Sequence, residues 1–328
     1  MRSTGPPLPS AEPELTLEHS VRDVPRLDTP AVPAVLSLLR AATTADGVRP
    51  LSEEAELRLQ HGGPTGGRDV LVEAGDALVG YARFEGGDGS GDAEGELVVH
   101  PEARRRGVGR ALLRRLEELA GPRPLRVWAH GDLPGSAELA AAGGYDRARV
   151  LLQMRRPLAG VDPDPRPALP EGVRVLPFRP GRDEEAWLRV NGRAFATHPE
   201  QGSWTAEDLA LREAEPWFDP AGFFLAWRGE PDAGGELLGF HWTKVHPAGD
   251  AGDEAIGEVY VLGIDPGAQG GGLGRALTDV GLAHLRGRGL RDVLLYVEGD
   301  NVPAVSLYEK RGFTRHAVDV SWRRATRD

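Results

Sequence analysis

Two hydrophobic periods alternate along this chain, and they do so twice. Over 257–264 (Gly-Glu-Val-Tyr-Val-Leu-Gly-Ile) apolar and β-branched residues run together, as in a buried strand. Asp265-Pro266 ends that run, and from Ala276 the apolar residues fall at helical spacing, with Leu277, Val280 and Leu285 on one stripe. The rest of the second half reads as a strand over 173–178, helices over 182–195 and 205–214, and strands over 223–228 and 237–246. A helix over 273–287, a strand over 292–298, a helix over 302–311 and a strand over 315–323 follow. Thr205 with Asp208 three residues on is the signature of a capped helix start. The first half gives helices over 31–44 and 51–60 and strands over 69–73, 77–84 and 95–99. An amphipathic helix from Ala111 to Leu119 and strands over 125–130 and 147–156 complete it. Each half is thus expected to be an α/β unit on a mixed sheet.

The junction of strand and helix is where chemistry is expected. Between Ile264 and the second-half helix stands Gln269-Gly270-Gly271-Gly272-Leu273-Gly274-Arg275, a Q-x-x-G-x-G loop. Glycines before a helix let the backbone curl with its N–H groups inward, and the helix start adds partial positive charge. The combination suits a phosphate or pyrophosphate. Neither a G-x-G-x-x-G nor a G-x-x-x-x-G-K-[ST] pattern is present. The first half carries a faded copy, Gly95-Glu-Leu-Val-Val-His-Pro101 and then Arg104-Arg-Arg-Gly107-Val-Gly109, so one whole domain is one repeat. The proline-rich stretch 157–170 between the copies is expected to be an extended linker.

Composition narrows the class. A chain of 328 residues with 40% hydrophobic content supports two packed domains. No run of eighteen apolar residues occurs, and residues 1–13 lack the apolar segment of a secretory leader and are expected to be a disordered tail. The absence of cysteine excludes disulfides, a thiol nucleophile and thiolate metal sites, and fits a cytoplasmic protein. A net charge of −11 argues against nucleic acid or an anionic membrane as partner. Only Lys244 and Lys310 of the 39 basic residues are lysines, a bias that reads as genomic and weakens any argument from arginine counts.

The strand ending Leu-Gly-Ile-Asp-Pro before Q-x-x-G-x-G, followed by Asn301-Val302-Pro303-Ala304-Val305-Ser306-Leu-Tyr308-Glu-Lys-Arg-Gly312-Phe313, resembles the GNAT superfamily of acetyl-CoA-dependent N-acetyltransferases. The resemblance implies two tandem GNAT acyl-CoA N-acyltransferase domains, at 14–156 and 171–328. Acetylating an amine from a thioester needs a proton acceptor, a donor to the developing oxyanion and an acid for the thiolate. Glu258, just before the apolar run, suits the base, and equally reads as an ordinary strand-end carboxylate. Backbone N–H groups around Leu262, Gly263 and Ile264 suit the oxyanion. Gly263 in mid-strand suggests a bulge or close ligand approach, or simple packing. Tyr308 suits the acid, and equally a half-buried aromatic. Asn301 suits a helix cap or a contact to the pantetheine arm. Aligning Gly144-Tyr145 with Gly312-Phe313 sets Ala140 opposite Tyr308 and Leu133 opposite Asn301. The first copy is therefore expected to hold CoA at most, and the second to be the catalyst.

Three further stretches carry a narrower resemblance: Asn191 to Thr205 with its His-Pro-Glu-Gln-Gly, Gly239 to His246, and Leu294 to Val305. With the tandem arrangement they resemble the mycothiol acetyltransferase family, most strongly over 190–313. That resemblance implies acetylation of the cysteinyl amine of a cysteine–glucosamine–inositol pseudodisaccharide. It implies a small-molecule partner, no metal, and substrate contacts at Glu53, Glu200, Lys244, Glu258 and Tyr296. It makes Glu258 the base and Tyr308 the acid. It carries acetyl-CoA contacts onto Leu262–Ile264, Gln269–Arg275 and Asn301–Ser306. In the first half these fall on Leu97, Val98, Val99, Arg105, Arg106, Gly107, Val108, Gly109 and Arg110. Carboxylates suit a polyol bearing an amine, since they accept from hydroxyls and ammonium alike. Gly271 departs from the family's usual arginine, which implies weaker CoA binding in the second domain. His198 and His241 read as structural or supporting residues, and Trp204, Trp217, Trp227 and Trp242 as core or cleft wall. A tandem acetyltransferase for another amine, or a CoA sensor without turnover, is the alternative. Internal duplication points to a monomer.

Overall fold

A computed structural model of the chain describes residues 18–28, 30–61, 67–86, 91–162, 168–248 and 254–324, with the side chains of 60–61 and 199–200 outside that description. The expected tail at 1–13 lies outside the described residues, as does 163–167 of the proline-rich stretch. The chain divides into two compact units, Met1–Val150 with Asp319–Asp328, and Leu151–Val318.

The first half of the chain runs β1 (Ser20–Val24), α1 (Ala31–Asp46), α2 (Glu53–His61), β2 (Arg68–Ala74), β3 (Ala77–Glu85), β4 (Ala93–Val99), α3 (Val108–Ala120), β5 (Leu125–Ala129), α4 (Pro134–Gly143) and β6 (Asp146–Pro157). The second half runs β7 (Val173–Pro177), α5 (Glu184–Ala194), α6 (Pro199–Gly202), α7 (Ala206–Glu213), β8 (Phe223–Arg228), β9 (Glu236–His246), β10 (Ile256–Ile264), α8 (Leu273–Gly287), β11 (Asp292–Glu298), α9 (Val302–Glu309) and β12 (Thr314–Arg324). Among the described residues no helix is long and apolar enough to cross a membrane.

In the first unit β1, β2, β3 and β4 pair antiparallel in turn, and β4 pairs parallel with β5. The second unit repeats this, with β7, β8, β9 and β10 antiparallel and β10 parallel to β11. The last strand of each sheet comes from the other half of the sequence. Leu151–Pro157 of β6 pairs with β11 in the second unit, and Val320–Arg324 of β12 pairs with β5 in the first.

Both faces of each sheet are covered, which is why the strands read as apolar runs. Val70 and Val72 join the core under α3, whereas Leu71 between them joins the core under α1. Leu225 and Trp227 likewise pack on the α5 side and Ala226 on the α8 side. α7 begins with a complete capping box, Thr205 Oγ1 accepting from Asp208 N at 3.2 Å and Asp208 Oδ2 from Thr205 N at 2.9 Å. β1 and α4 had no clear pattern in the sequence. β1 is a mostly exposed edge strand with two charged residues among its five, held in part by Arg22 on Glu73 at 3.0 Å, and α4 is an alanine-rich helix with one buried residue.

The exchanged C-terminal strand is tied to the first unit by a buried ionic cluster. Asp319 Oδ2 lies 3.0 Å from His130 Nδ1, and Asp319 Oδ1 accepts from Gly131 N at 2.8 Å. On the other side of the ring, His130 Nε2 is 3.5 Å from Glu96, which accepts from both Ser52 N and Ser52 Oγ. Burial works against the imidazolium, but the bonds to Asp319 and Glu96 outweigh it and push His130 up to about 10 from an ordinary 6.5. The folded value lies above the unfolded one, so this stabilisation is complete below about pH 6.5 and is lost as pH rises through about 10. The melting temperature of the unaltered protein should therefore fall more steeply over that window than that of His130→Gln. Asp319→Ala, which strands a buried cation, should cost about 3–5 kcal/mol by denaturant titration.

Candidate active site

The site begins where two parallel strands part. β10 pairs with β11 only from Gly257 to Val259, opposite Val293 to Leu295, yet β10 runs on to Ile264 and β11 to Glu298. β9 stays with β10 throughout, and the register shifts between Val259 and Val261, so Tyr260 is the extra residue of a bulge. Asp265 N donates to Leu238 O at 2.9 Å across β9. Alternation along the strand then turns the N–H groups of Leu262 and Ile264 to the opposite, opened edge. Gly263 is not the bulge expected from the sequence. It faces Phe240 in register, and a Cβ there would lie 2.6 Å from the Phe240 ring, so its glycine answers to packing.

Beyond Ile264 the loop takes two left-handed residues, Gly270 at φ 84° and Gly272 at φ 81°, the second capping α8. The first unit keeps this shape with Arg105 at φ 63° and Gly107 at φ 90°. Such alternation turns successive N–H groups into one concavity, here at the start of a fifteen-residue helix. Gly271 has ordinary φ, and the nearest atom to an added Cβ is Pro170 Cγ at 3.9 Å, so a side chain fits there. Arg275 and Arg110 are exposed at the third position of their helices. Arg105 pairs with Glu138.

Strand register gathers the charged side chains on one face of the second sheet. Glu258 stands opposite Lys244 on β9 and beside Leu294 on β11, and Tyr296 follows two residues along on the same face. Glu258 is 6% exposed, and its Oε2 lies 2.6 Å from His246 Nε2. Lys244 is buried, with its ammonium 4.2 Å from the Trp217 ring centre and 5.2 Å from that of Tyr260. Tyr260 is held in turn by Arg212, whose Nε donates to its hydroxyl at 2.9 Å and whose guanidinium lies 3.8 Å over Trp204. Trp204, Trp217, Trp227 and Trp242 all belong to the core on this side. The Tyr296 hydroxyl accepts from Gln153 Nε2 at 2.7 Å, and Arg155 Nε donates to Gln153 Oε1 at 3.0 Å.

Tyr308 sits on α9, nearly buried, its ring edge-on to Phe313 at 5.6 Å, and its hydroxyl makes no hydrogen bond among the described residues. Burial pushes its phenol above the ordinary value, so the proton is held. Asn301 Oδ1 caps α9 by accepting from Ala304 N at 3.2 Å. In the first unit α4 has Leu133 at its start with no side-chain cap, and Ala140 buried at the matching place.

Of the residues expected to meet a substrate, Lys244, Glu258 and Tyr296 therefore share one sheet face. Glu200 lies on α6 with its side chain outside the described residues, and Glu53 opens α2 in the first unit, half-buried. His198 stacks edge-on against Phe195 at 6.2 Å. His241 Nδ1 bonds Leu277 O at 2.7 Å on the other face, and burial pushes it down to about 4, so it stays neutral and structural. The residue sequence reasoning missed is His246. Its signal was the two-residue spacing from Lys244, which on a strand means a shared face.

The sequence-family model described as acetyltransferase (GNAT) family matches residues 33–140 and 187–313. A mycothiol acetyltransferase of Geodermatophilus obscurus is 79% identical over 306 residues, covering 93% of this chain and 98% of that one. One of Thermobispora bispora is 58% identical over 291 residues, covering 89% and 95%. Among solved structures, a tandem GNAT protein from the clavulanic acid biosynthesis pathway superposes with TM-score 0.71 at 25% identity, covering 95% and 99%. A GCN5-related N-acetyltransferase from Sphaerobacter thermophilus gives 0.66 at 27%, covering 94% and 96%.

Gly263→Ala should force Phe240 aside and cost about 1–3 kcal/mol, read by denaturant unfolding. Gly271→Ala, with open space around it, should leave stability within about 0.5 kcal/mol.

Proposed function

This chain belongs to the acetyltransferase (GNAT) family, and on that premise we propose that its second unit moves the acetyl group of acetyl-CoA to the cysteinyl amine of a cysteine–glucosamine–inositol, yielding mycothiol and CoA. The observation that carries the reading is the face bearing Lys244, Glu258 and Tyr296, on the strand pair that parts beyond Val259.

The geometry supports the following roles. Gln269 to Arg275, with left-handed Gly270 and Gly272, cradle the pyrophosphate on the start of α8. The opened edge of β10 offers the N–H groups of Leu262 and Ile264 to the pantetheine amide and the thioester carbonyl. Asn301 to Ser306 line the other side through the start of α9. Glu258 takes a proton from the acceptor ammonium. An α-amino group has an ordinary pKa of about 8, so near neutral pH an appreciable fraction of the acceptor is already close to losing its proton. The freed amine attacks the thioester carbon, and the tetrahedral oxyanion is met by backbone donors. As the carbon–sulfur bond breaks, Tyr308 gives its proton to the thiolate, and the second proton shed by the acetylated nitrogen restores the phenol. Lys244 and Tyr296, with Glu200, hold the sugar and inositol hydroxyls. The first unit keeps the loop with Arg105, Arg106, Gly107, Val108, Gly109 and Arg110, and the strand end Leu97 to Val99, so it is read as an acetyl-CoA holder. Ala140 and Leu133 leave it without the acid and the cap.

The decisive test is acetyl-CoA turnover with cysteinyl-glucosaminyl-inositol as acceptor and glucosaminyl-inositol as control, read by product mass. Acetylation of the first alone supports the reading, whereas turnover only with other amines overturns the substrate and keeps the reaction. Glu258→Gln and Tyr308→Phe should each lower kcat by about 10²–10⁴-fold with acetyl-CoA affinity nearly unchanged. Gly271→Arg should tighten acetyl-CoA binding severalfold by calorimetry, since it adds a charge where a side chain fits.

A further inference from the structure

We propose that His246 is a positioning residue for Glu258, its Nε2–H donating to Glu258 Oε2 so that Oε1 is the atom that takes the acceptor's proton. The inference rests on the reading of Glu258 as base.

The geometry is specific. Glu258 is 6% exposed and His246 5%, and their side chains meet at 2.6 Å from adjacent strands, short for a neutral pair. Among the described residues His246 is the one partner of the Glu258 carboxylate. Lys244 stands opposite Glu258 in register, but its ammonium lies over the rings of Trp217 and Tyr260. The other charged or titratable groups on this face belong to neighbouring elements: Tyr260 on β10, Arg212 on α7 through the Tyr260 hydroxyl, and Tyr296 and Arg155 on β11 and β6. An ionised carboxylate buried to this degree without a donor is costly and would protonate instead. His246 supplies the donor and sets the plane of the group. In the reaction the ammonium N–H bond breaks, an O–H bond forms on Oε1, and the imidazole keeps its own proton.

The roles of the two residues can be separated by experiment on the full-length protein with its cysteinyl amine acceptor. His246→Phe keeps ring volume and removes the donor. It should lower kcat about 10–100-fold with little change in the acceptor KM, and move the acid limb of the kcat/KM profile to higher pH. His246→Gln, which restores an N–H donor, should recover most of the rate and return the limb towards its original place. Adding His246→Phe to Glu258→Gln should lower the rate no further. A pH profile unmoved in both His246 variants, with Glu258→Gln inactive, overturns the role of His246 and leaves the base in place. Glu258→Gln retaining full turnover overturns the base itself. If His246→Phe fails to bind acetyl-CoA, His246→Leu, which also removes the donor, takes its place: an acid limb coincident with that of the unaltered protein overturns the proposal.

Discussion

The site hangs on the parting of β10 from β11. Parallel strands normally satisfy each other's backbone groups along their whole overlap, but here the ladder stops at Val259 and Leu295 while both strands continue. The bulge at Tyr260 sharpens the twist of β10 at that point, and β9 follows it, so the second neighbour is lost. Backbone donors left inside a protein are costly unless something pairs with them, at about 1–3 kcal/mol each. The opened edge is therefore a standing demand for a ligand with amide and carbonyl groups. The loop that begins α8 lies at the end of the same strand and supplies the anion cradle. On the proposed reading, this one departure from regular pairing sets where the cofactor's arm, its phosphates and the reacting carbonyl lie relative to Glu258.

The two units show which parts of this frame serve the fold and which serve the chemistry. Both keep the strand order, the helix after the central strand and the left-handed turn before it, with Arg105 accepting the strain that Gly270 avoids. Only the second has a register shift in its central pair, since β3 and β4 run without one from Gly80 and Val99 to Glu85 and Glu94. In the first unit the carboxylate on the central strand, Glu96, is committed to Ser52 and His130, and Ala140 fills the place of a tyrosine. A core of the Leu112 and Leu116 kind does not depend on any of these, so the fold persists where the catalytic groups do not.

Much of this was legible in the residues. The apolar run of 257–264, the glycine loop and the helix after it are local signals, and the structure places each within a few residues of its expected position. What was not legible depends on contacts across the sheet. Gly263 was the natural candidate for a bulge, because glycine marks both bulges and close packing, and only the register with Phe240 tells them apart. The exchange of β6 and β12 leaves no mark in sequence, since each strand has the same alternation whichever edge it joins. His246 escaped because its two-residue spacing from Lys244 says only that the two share a face, and it is pairing across the strands that brings it to Glu258.

The electrostatic design of the site turns on which partner each charge receives. Lys244 and Glu258 are cross-strand neighbours of opposite sign, and a direct pair would be the simplest way to bury both. A permanent cation against the carboxylate would hold it ionised and make it a poor proton acceptor. Instead the ammonium lies over Trp217 and Tyr260, whose ring faces compensate part of its lost hydration. The carboxylate takes an imidazole bond, which orients it. Arg212 on the Tyr260 hydroxyl holds that ring under Lys244. A base that must both accept a proton and give it up within one turnover is better served by such a donor than by a salt bridge. The rings of Trp217 and Tyr260 take the lysine's ammonium while its strand position stays opposite that carboxylate.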